Sequence, residues 1–184
     1  MAKSAIATRL PAMEGAHFAN SAVTIQLAPP ASRISLRATK AGSKSIEKLL
    51  GITLPKKPTE TTKKTSRHAL WLGPDEWMVI DEKNGDASMV PRQSNKNFTA
   101  VDVSHRNVAY IVNGYGAANT LNAGCPRDLS LRAFPVGSCS RTILNKAEVV
   151  LYRTARNTFR IECWRSFAPY VWAYLLEGAK DAHI

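Results

Sequence analysis

The amino-acid sequence predicts a two-layer α+β fold in which one structural unit occurs twice and helices cover one face of a largely antiparallel sheet. The first observation is VDVSHRNVAYIVNGYGAANTLNAGC, residues 101–125, which has the pattern of strand, bend, strand, tight turn and helix. The second is RISLRATKAGSKSIEKLLG, residues 33–51, which repeats the strand-to-helix part of that pattern. The third is a hairpin pattern after each stretch, at residues 70–80 and 150–162. An internal duplication accounts for all three.

The first unit combines two strands, a helix and a hairpin. AVTIQLA, residues 22–28, alternates like a strand, and the two prolines after it end that strand. A second strand at residues 33–38 leads into a short helix. That helix has one apolar stripe, formed by Ile46, Leu49 and Leu50. The hairpin, residues 68–82, reverses at Gly73-Pro74-Asp75-Glu76, a run of residues typical of turns.

The second unit begins at Phe98 and follows the same plan. Alternation over residues 107–112 predicts a mostly buried strand, and Gly114 and Gly116 predict a sharp turn after it. Gly124 is expected to end the next helix in a left-handed conformation. The remaining elements are predicted as strands at 141–145, 148–153 and 158–164, followed by a helix from about Phe167.

These patterns predict one domain rather than several. We assign an extended arm to residues 1–20 and a single α+β domain to residues 21–184, made of two repeats at about 22–82 and 98–178. Residues 83–96 are loop-like and mark the boundary between the repeats. A chain of 184 residues is long enough to bury roughly 70% of its unfolded surface in one core.

Composition indicates an ordinary globular protein with a basic surface. Hydrophobic residues make up 45% and charged residues 21% of the chain. No apolar run approaches the ~20 residues of a membrane helix, and the N-terminus lacks the apolar segment of a secretory signal. Cys125, Cys139 and Cys163 form no CxxC pair, so we expect small buried residues in a reducing cytoplasm and no zinc site.

The formal net charge of +11 is the unusual feature, and an acidic partner protein, an acidic small molecule or nucleic acid could each account for it.

The basic residues concentrate in KKPTETTKKTSR, residues 56–67. Its lysines are candidates for a partner interface: Lys56, Lys57, Lys63 and Lys64. The segment is interpreted as a solvated loop, with docking on an acidic partner as the alternative. Nucleic-acid binding ranks below both, because no aromatic residue lies between these lysines to stack on bases.

Three groups of residues invite a catalytic or cofactor interpretation, and each has a simpler structural one. Ser104 and His105 are neighbours on an extended segment and point to opposite faces, so a bend braced by Asp102 and Ser104 is the better hypothesis. The sequence NGYGAAN resembles a dinucleotide fingerprint, but Asn119 replaces its third glycine and no acidic residue follows at the required spacing. The acids Asp75, Glu76, Asp81 and Glu82 cluster at one hairpin, where Glu76 is expected to be exposed or capping. The sequence therefore predicts no catalytic, cofactor-binding or metal-binding residue in this chain.

The C-terminal helix is apolar on nearly all sides. With Ser166 as its N-cap, one face carries Phe167, Val171, Tyr174 and Gly178. A second face carries Ala168, Trp172, Leu175 and Leu176. Such a helix must be buried on two sides, against its own sheet and against either the N-terminal arm or a partner. The interface candidates on this helix are Phe167, Tyr170, Trp172 and Leu176.

Three stretches resemble the gamma subunit family of heterotetrameric sarcosine oxidase: WLGPDEWMVI, DVSHRNVAYIVNGYGAANTLNAGCPRDL and RNTFRIECWRSFAPYVWAYL. The likeness runs from about Val23 to Glu177, and the second half is also similar to the folate-binding domain of aminomethyltransferases. The resemblance implies duplicated ferredoxin-like ββαββ units. It further implies a non-catalytic structural subunit of a complex that demethylates sarcosine oxidatively to glycine. In such a complex the one-carbon unit goes to tetrahydrofolate and the electrons go to oxygen.

The partners implied by this resemblance are the alpha, beta and delta subunits of sarcosine oxidase. These subunits would carry FAD, FMN, NAD, zinc and tetrahydrofolate, with none of them on this chain. Neither a membrane nor nucleic acid is expected as a partner, and the chain is expected in the cytoplasm.

One departure separates the sequence from the aminomethyltransferases. They place two aspartates before the strand that leads to an arginine, and counting back from Arg153 the matching positions here are Ala147 and Glu148. Independent folate-dependent methyl transfer is therefore not implied for this chain. The remaining alternatives are a free-standing folate-binding protein of the aminomethyltransferase type and a basic nucleic-acid-binding protein.

Overall fold

The computed structural model describes residues 12–83 and 96–182. Within this part of the chain no helix is both long and apolar enough to cross a bilayer. The strands of the first half are β1 (His17–Ala19), β2 (Thr24–Leu27), β3 (Ser32–Ala38), β4 (Thr61–Lys64), β5 (Arg67–Gly73) and β6 (Glu76–Asp81). Those of the second half are β7 (Phe98–Asp102), β8 (Asn107–Asn113), β9 (Cys139–Leu144), β10 (Ala147–Ala155) and β11 (Thr158–Trp164). The helices are α1 (Lys40–Leu50), α2 (Ala117–Asn122) and α3 (Ala168–Asp181), and a 3₁₀ turn at Arg165–Phe167 precedes α3.

The strands form two antiparallel sheets with the same internal order. The six-stranded sheet runs β1-β2-β8-β11-β10-β9, and the five-stranded sheet runs β7-β3-β6-β5-β4. If β2 to β6 are matched in sequence with β7 to β11, the two orders coincide, apart from the additional edge strand β1. The α+β fold made of duplicated units, predicted from sequence, is therefore confirmed.

The two units exchange their first strands. β2 belongs by sequence to the first unit but pairs with β8 of the second, and β7 pairs with β3 of the first. Each sheet therefore contains one strand from the other unit, so the two halves of the chain are joined by backbone hydrogen bonds as well as by side chains. Sequence pattern did not predict this exchange.

The two hairpins carry their irregularity at equivalent positions. In β5–β6 the register shifts between Trp71 and Gly73, just beyond the pair Trp71–Trp77. In β10–β11 it shifts between Arg153 and Ala155, just beyond the pair Arg153–Phe159. A β-bulge is a defined structural feature, so its recurrence supports the duplication beyond the strand order alone.

The sheets are stacked face to face, with helices on their outer sides. On β6 the side chains of Trp77 and Val79 join the cluster beneath α1, whereas Met78 and Ile80 join a cluster between the sheets. Alternate residues of β10 divide in the same way between the helix side and the middle cluster. The layers are thus helix, sheet, sheet and helix, and each predicted two-layer unit has its second face covered by the other unit. The hairpin strands are apolar on both faces because both faces are buried.

α1 follows its sequence signals closely. The Thr39 side chain accepts a hydrogen bond from the Gly42 N–H at 3.1 Å, which caps the helix start. Gly51 ends the helix with φ 66°, a left-handed conformation that glycine adopts without strain. Ile46 and Leu50 of the predicted stripe are buried, whereas Leu49 is exposed.

The predicted left-handed end of α2 at Gly124 is wrong. Ala123 caps the helix in a right-handed conformation, and Gly124 has no positive φ. The reason for a glycine here is space, since a Cβ atom at Gly124 would lie 2.4 Å from Cε1 of Tyr174. Gly124 therefore permits the ring of Tyr174 on α3 to approach the end of α2.

The start of α3 also differs from the prediction. Ser166 is not the N-cap, because it lies inside the 3₁₀ turn, and Phe167 occupies the cap position without a side-chain hydrogen bond. The inner face of α3 consists of Ala168, Val171, Leu175, Gly178 and Ala179. Phe167, expected on that inner face, is exposed, because the 3₁₀ turn changes the angular spacing before the α-helix begins.

The basic segment 56–67 is not a loop throughout. Thr61–Lys64 forms β4, the edge strand of the five-stranded sheet, with Lys63 and Lys64 exposed. Exposed lysines on an edge strand keep it from pairing with another chain. Of the predicted arm, residues 1–11 lie outside the described part of the chain, and so does most of the predicted boundary segment at 83–96.

Candidate functional site

A chain of polar side chains crosses the middle of the molecule, between the two sheets. Glu162 on β11, 1% exposed, accepts hydrogen bonds from Arg33 Nε at 2.6 Å and from Arg160 Nε at 2.8 Å. Arg33 belongs to the five-stranded sheet, whereas Glu162 and Arg160 belong to the six-stranded sheet. The ion pair between Arg33 and Glu162 therefore ties one sheet to the other.

The chain continues from Arg160 to the surface. Arg160 Nη1 donates to Glu82 Oε1 at 3.0 Å, and Glu82 Oε2 lies 3.3 Å from His68 Nε2. His68 Nδ1 lies 3.2 Å from the Tyr152 hydroxyl. The Glu82 side chain is 44% exposed, so the network begins in the interior and ends in solvent. We refer to Arg33, Glu162, Arg160, Glu82, His68 and Tyr152 as the inter-sheet network.

The electrostatics of this network keep its central carboxyl ionised. Burial alone raises the pKa of Glu162, but the positive charges of Arg33 and Arg160, together with their hydrogen bonds, outweigh burial and leave that pKa below its ordinary value. The hydrogen bond with His68 is the main cause that lowers the pKa of Glu82. These carboxylates are thus fixed as anions in ion pairs, whereas a general acid at neutral pH needs a raised pKa.

The acids at the first hairpin are also held in ion pairs. Glu76 was expected to be exposed or capping, but it pairs with Arg141 on β9, and this hydrogen bond is the main cause that lowers its pKa. Asp81 accepts from Arg67 Nε at 2.8 Å. Arginine partners 65 and 14 residues away in sequence explain why this hairpin carries acids.

The cysteine side chains lie inside the protein. All three are free and buried, as expected from sequence. Burial raises the pKa of the Cys139 and Cys163 thiols to about 12. A thiol acts as a nucleophile through its thiolate, so these two side chains suit packing and not covalent catalysis.

The segment Asp102–Arg106 is the predicted bend. Asp102 Oδ1 accepts from the Ser104 N–H at 2.8 Å, and Ser104 Oγ accepts from the Arg33 N–H at 2.8 Å. His105 is exposed, whereas Ser104 is buried. The structural hypothesis for this segment is therefore confirmed, and Ser104 connects the bend to β3.

The glycine turn after β8 serves packing and not dinucleotide recognition. Every strand pair among residues 12–83 and 96–182 is antiparallel, so the turn does not open the parallel βαβ unit of a dinucleotide fold. A Cβ atom at Gly114 would lie 2.3 Å from the Ala22 carbonyl oxygen. Glycine is needed here because the turn presses against the segment before β2.

Arg153, the reference arginine for the likeness to aminomethyltransferases, is fully engaged inside the chain. Its Nη1 donates to the carbonyl oxygens of Leu129 at 2.9 Å and Phe134 at 2.8 Å, and its Nη2 donates to that of Arg156 at 2.6 Å. The guanidinium also lies 4.7 Å from the centroid of the Phe159 ring. Arg153 therefore holds the 129–134 segment against β10 and is not directed at an open site.

Metal-ligand clusters and cavities bear on whether the described residues could hold a metal or a cofactor. The described ranges contain no group of three or more His, Cys, Asp or Glu side chains that could hold a metal ion. An open surface depression of about 390 Å³ lies beside the end of α1, next to Glu47, Lys48 and Lys64. A cavity between the sheets has a volume of about 60 Å³, with Glu76, Arg141 and Trp164 in its wall. Small-molecule sites typically enclose about 300–1,000 Å³, so this cavity suits one or two water molecules.

The interface candidates on α3 fall into two groups. Phe167 and Tyr170 are exposed at the start of the helix. Trp172 and Leu176 are half-buried, and the Trp172 ring lies 5.5 Å from that of Tyr110, inside the chain's own core. Ala12 and Met13, from the end of the predicted N-terminal arm, also pack against this core.

The lysine candidates are all exposed. Lys56 and Lys57 precede β4, and Lys63 and Lys64 lie on it, so the structure does not bring them together with α3, which packs on the other sheet.

Sequence reasoning missed two residues that extend the aromatic surface. Trp164, 41% exposed, stacks on Phe167 with ring centroids 5.9 Å apart, and the Arg106 guanidinium lies 5.1 Å from the Trp164 ring centroid. The signal for Trp164 was present as the spacing of three residues in Trp164, Phe167 and Tyr170. Arg106 could not be found in this way, since it lies 58 residues before Trp164 in the chain.

Comparison with known proteins places this chain among subunits of one enzyme. Residues 37–181 match the family described as "Sarcosine oxidase, gamma subunit family". The sarcosine oxidase subunit gamma of Corynebacterium sp. (strain U-96) is 30% identical over 182 residues, covering 92% of this chain and 86% of that protein. The subunit gamma of Arthrobacter sp. is 31% identical over 136 residues, covering 71% of this chain and 67% of that protein.

The solved structures agree with the sequence relatives. A chain of the heterotetrameric sarcosine oxidase from Corynebacterium sp. U-96, solved in complex with pyrrole 2-carboxylate, superposes with a TM-score of 0.81. Identity is 26%, and the match covers 94% of this chain and 92% of that one. The glycine cleavage system aminomethyltransferase T from Bartonella henselae gives a TM-score of 0.57 at 12% identity, over 85% of this chain and 46% of that one. This second likeness concerns the fold alone.

Proposed function

The chain belongs to the sarcosine oxidase gamma subunit family, and we propose that it is a non-catalytic structural subunit of a heterotetrameric sarcosine oxidase. The observation that carries the proposal is the match, over nearly the full length of both chains, to a chain of an assembled heterotetrameric enzyme. A subunit of this family is part of an oxidoreductase complex.

In the proposed assembly the other subunits perform the chemistry. Sarcosine is oxidatively demethylated to glycine, the one-carbon unit passes to tetrahydrofolate and the electrons pass to oxygen. The alpha, beta and delta subunits carry FAD, FMN, NAD, zinc and tetrahydrofolate. The present chain contributes a rigid surface that holds its neighbours in position.

The state of the interior ionisable groups supports a structural role. Glu162 is held between two guanidinium groups, and Glu76 is held by Arg141. Burial raises the pKa of the Cys139 and Cys163 thiols to about 12. Each group is thereby fixed in its resting charge state, which stabilises the fold and does not suit proton transfer or nucleophilic attack.

A folate-binding role for this chain alone is less well supported. The likeness to the aminomethyltransferase concerns the fold at 12% identity, and fold alone does not imply function. Ala147, at one of the two aspartate positions, is buried against the core, and Arg153 is occupied by carbonyl oxygens. The contacts of Ala147 and Arg153 favour a role in packing over a role in folate binding.

The proposal is tested by producing the four subunits together, with and without this chain. We expect the complete set to assemble and to produce peroxide on addition of sarcosine, and we expect assembly to fail or weaken when this chain is omitted. Purified alone, the chain should show no flavin absorbance and no heat of binding when titrated with tetrahydrofolate. Stoichiometric flavin, sarcosine-dependent peroxide or stoichiometric folate binding with the isolated chain would overturn the structural role.

A further inference from the structure

Three aromatic side chains lie exposed in a row where β11 passes into α3. Trp164, Phe167 and Tyr170 have 41%, 39% and 39% of their surface exposed. Trp164 precedes the 3₁₀ turn, Phe167 ends it, and Tyr170 follows in the first turn of α3, so the three are spaced three residues apart. The rings of Trp164 and Phe167 stack, and those of Tyr170 and Tyr174 are stacked with centroids 6.4 Å apart.

The core does not require these side chains. α3 is already attached to its sheet by the opposite face, which includes Ala168, Val171 and Leu175. About two fifths of the surface of each aromatic residue therefore stays in contact with solvent in the folded chain. Large exposed apolar side chains that are adjacent to one another are typical of an interaction surface, whereas single exposed ones are ordinary.

Two arginines border this row and have no carboxylate partner among the described residues. Arg106 lies over the Trp164 ring, and its Nε is 3.4 Å from Asn107 Oδ1. The backbone N–H of Arg165 donates to the Arg106 carbonyl oxygen at 2.7 Å, which fixes the two basic residues side by side. By contrast, Arg67, Arg141 and Arg160 each form an ion pair with a carboxylate of the chain.

We propose that Arg106, Trp164, Phe167 and Tyr170 form the docking surface for another sarcosine oxidase subunit, at an apolar patch bordered by carboxylates. The inference rests on the proposed function. The partner's carboxylates pair with Arg106 and Arg165, and its apolar patch covers the rings. We call these four residues the aromatic–arginine patch.

Charge is the reason for an acidic partner. The residues from Trp164 to Leu176 include Arg165 and no acid, and neither the 3₁₀ turn nor the first turn of α3 carries one. Glu76 and Glu148 line the cavity beside Arg106 and Trp164, but Glu76 is paired with Arg141. The net charge of +11 favours the approach of an acidic partner to the chain as a whole. A second copy of this chain would bring like charges together, which disfavours self-association through the same surface.

The patch fits the composition of energetically important interface residues. Tryptophan, tyrosine and arginine dominate such positions, where truncation commonly weakens binding about 30-fold or more. The exposed lysines at 56–67 are less suited, because a mobile ammonium on an edge strand offers charge without a desolvated contact area.

The test is assembly of the four-subunit complex with variants Phe167→Ala and Arg106→Glu. Diluting each complex and counting intact tetramers by mass photometry should show assembly weakened about 30-fold for either variant. Tyr115→Ala, an exposed aromatic outside the patch, and the pair Lys56→Glu and Lys57→Glu serve as matched controls and should change assembly less than about threefold.

Salt supplies a second readout that a mere folding defect does not reproduce. Assembly of the wild-type complex should weaken as sodium chloride rises, and Arg106→Gln should reduce that dependence. Phe167→Ala should leave the salt dependence unchanged while it lowers affinity.

The outcomes separate this inference from the proposed function. If the wild-type chain assembles but the patch variants behave like the controls, or only the lysine variants weaken assembly, the docking surface is wrong and the structural role stands. If the isolated chain forms a dimer that Phe167→Ala abolishes while the tetramer is unaffected, the occupant is a second copy and the inference is overturned. If the wild-type chain does not assemble with the other subunits, both the inference and the proposed function fail.

Discussion

At the residue scale, Glu162 shows how a buried charge is accommodated in this protein. Glu162 is 1% exposed, and its two carboxylate oxygens accept hydrogen bonds from Arg33 and Arg160. Taking a carboxylate out of water costs several kcal/mol, and paired guanidiniums offset that cost only when the geometry is good. Arg160 Nη2 is the one buried side-chain nitrogen or oxygen in the described ranges without a hydrogen-bond partner. The network is therefore fully satisfied at its carboxylates and nearly so at its arginines.

Replacing Glu162 by glutamine should destabilise the chain by about 3–5 kcal/mol, because two buried guanidiniums lose their shared counter-charge. Urea unfolding followed by circular dichroism measures the change. Glu177→Gln is the matched control, since Glu177 forms an exposed ion pair with Lys180 and should cost less than about 0.5 kcal/mol. Equal losses for the two variants would mean that the inter-sheet ion pairs do not stabilise the fold.

Stability should also depend on pH through the same carboxyl. The pKa of the Glu162 carboxyl is lower in the folded chain than its ordinary value of 4.5, so the folded state binds fewer protons than the unfolded state in this range. Its contribution is fully present above about pH 5 and is lost as the pH falls through the lowered folded pKa. Urea unfolding between about pH 3 and 7 should therefore show a decline at the acid end. The decline should be shallower in Glu162→Gln, and identical slopes would assign it to other carboxyls.

At the element scale, α2 and α3 are held together by close backbone approach. A Cβ atom at Gly178 would lie 2.4 Å from the Thr120 carbonyl oxygen, and one at Gly124 would meet the Tyr174 ring. The Tyr174 hydroxyl donates to the Ala123 carbonyl oxygen at 2.8 Å, so this contact also satisfies the end of a short helix. Glycine at these two positions lets a six-residue helix dock closely on α3.

Gly178→Ala tests this contact. Alanine raises helix propensity by about 1 kcal/mol, yet we expect a net loss of about 1–3 kcal/mol because the backbone of α2 must move away from the new methyl group. Gly73→Ala is the control, since its nearest neighbour would be Glu76 Cβ at an ordinary 3.4 Å. Chemical denaturation of both variants measures the difference, and a stabilised Gly178→Ala would show that the helices separate easily.

At the scale of the whole molecule, the exchange of β2 and β7 makes the two halves interdependent. Residues 24–27 pair with 110–113, and residues 34–38 pair with 98–102. The cluster between the sheets and the Arg33–Glu162 pair add contacts across the same boundary. A unit without its partner half would lack one strand of its sheet and would expose the inner face of that sheet.

A cut in the backbone between residues 84 and 95 should therefore leave the two halves associated. Inserting a protease site there and cleaving it should give a particle that still elutes at the volume of the intact chain, and denaturant should then separate the fragments. The control is a variant with an insertion of the same length at the same place that the protease does not recognise. Fragments that elute separately under native conditions would mean that the exchanged strands contribute little.

Local pattern in the sequence determined the elements and their repetition. Period-two alternation located most of the strands but missed the edge strands β1 and β4. Gly51 located the end of α1, and the repeated order of elements gave the duplication. Phe167 and Tyr170, which the sequence marked as interface candidates, are exposed. Their interface role stays a prediction, and assembly of the complex tests it. Local pattern suffices for these features because periodicity records which sides of a segment are apolar.

Only the tertiary structure decided which sheet each strand joins and what its polar residues meet. The alternation in β2 indicates that one face of this strand is buried. It does not indicate that the strand pairs with β8 in the sheet of the second unit. The Arg33–Glu162 pair spans 129 residues, and the approach of Tyr174 to Gly124 spans 50. Such contacts depend on how whole elements pack. A local pattern reports the environment of a residue, whereas the identity of its neighbour is fixed by the burial and hydrogen bonding of the complete chain.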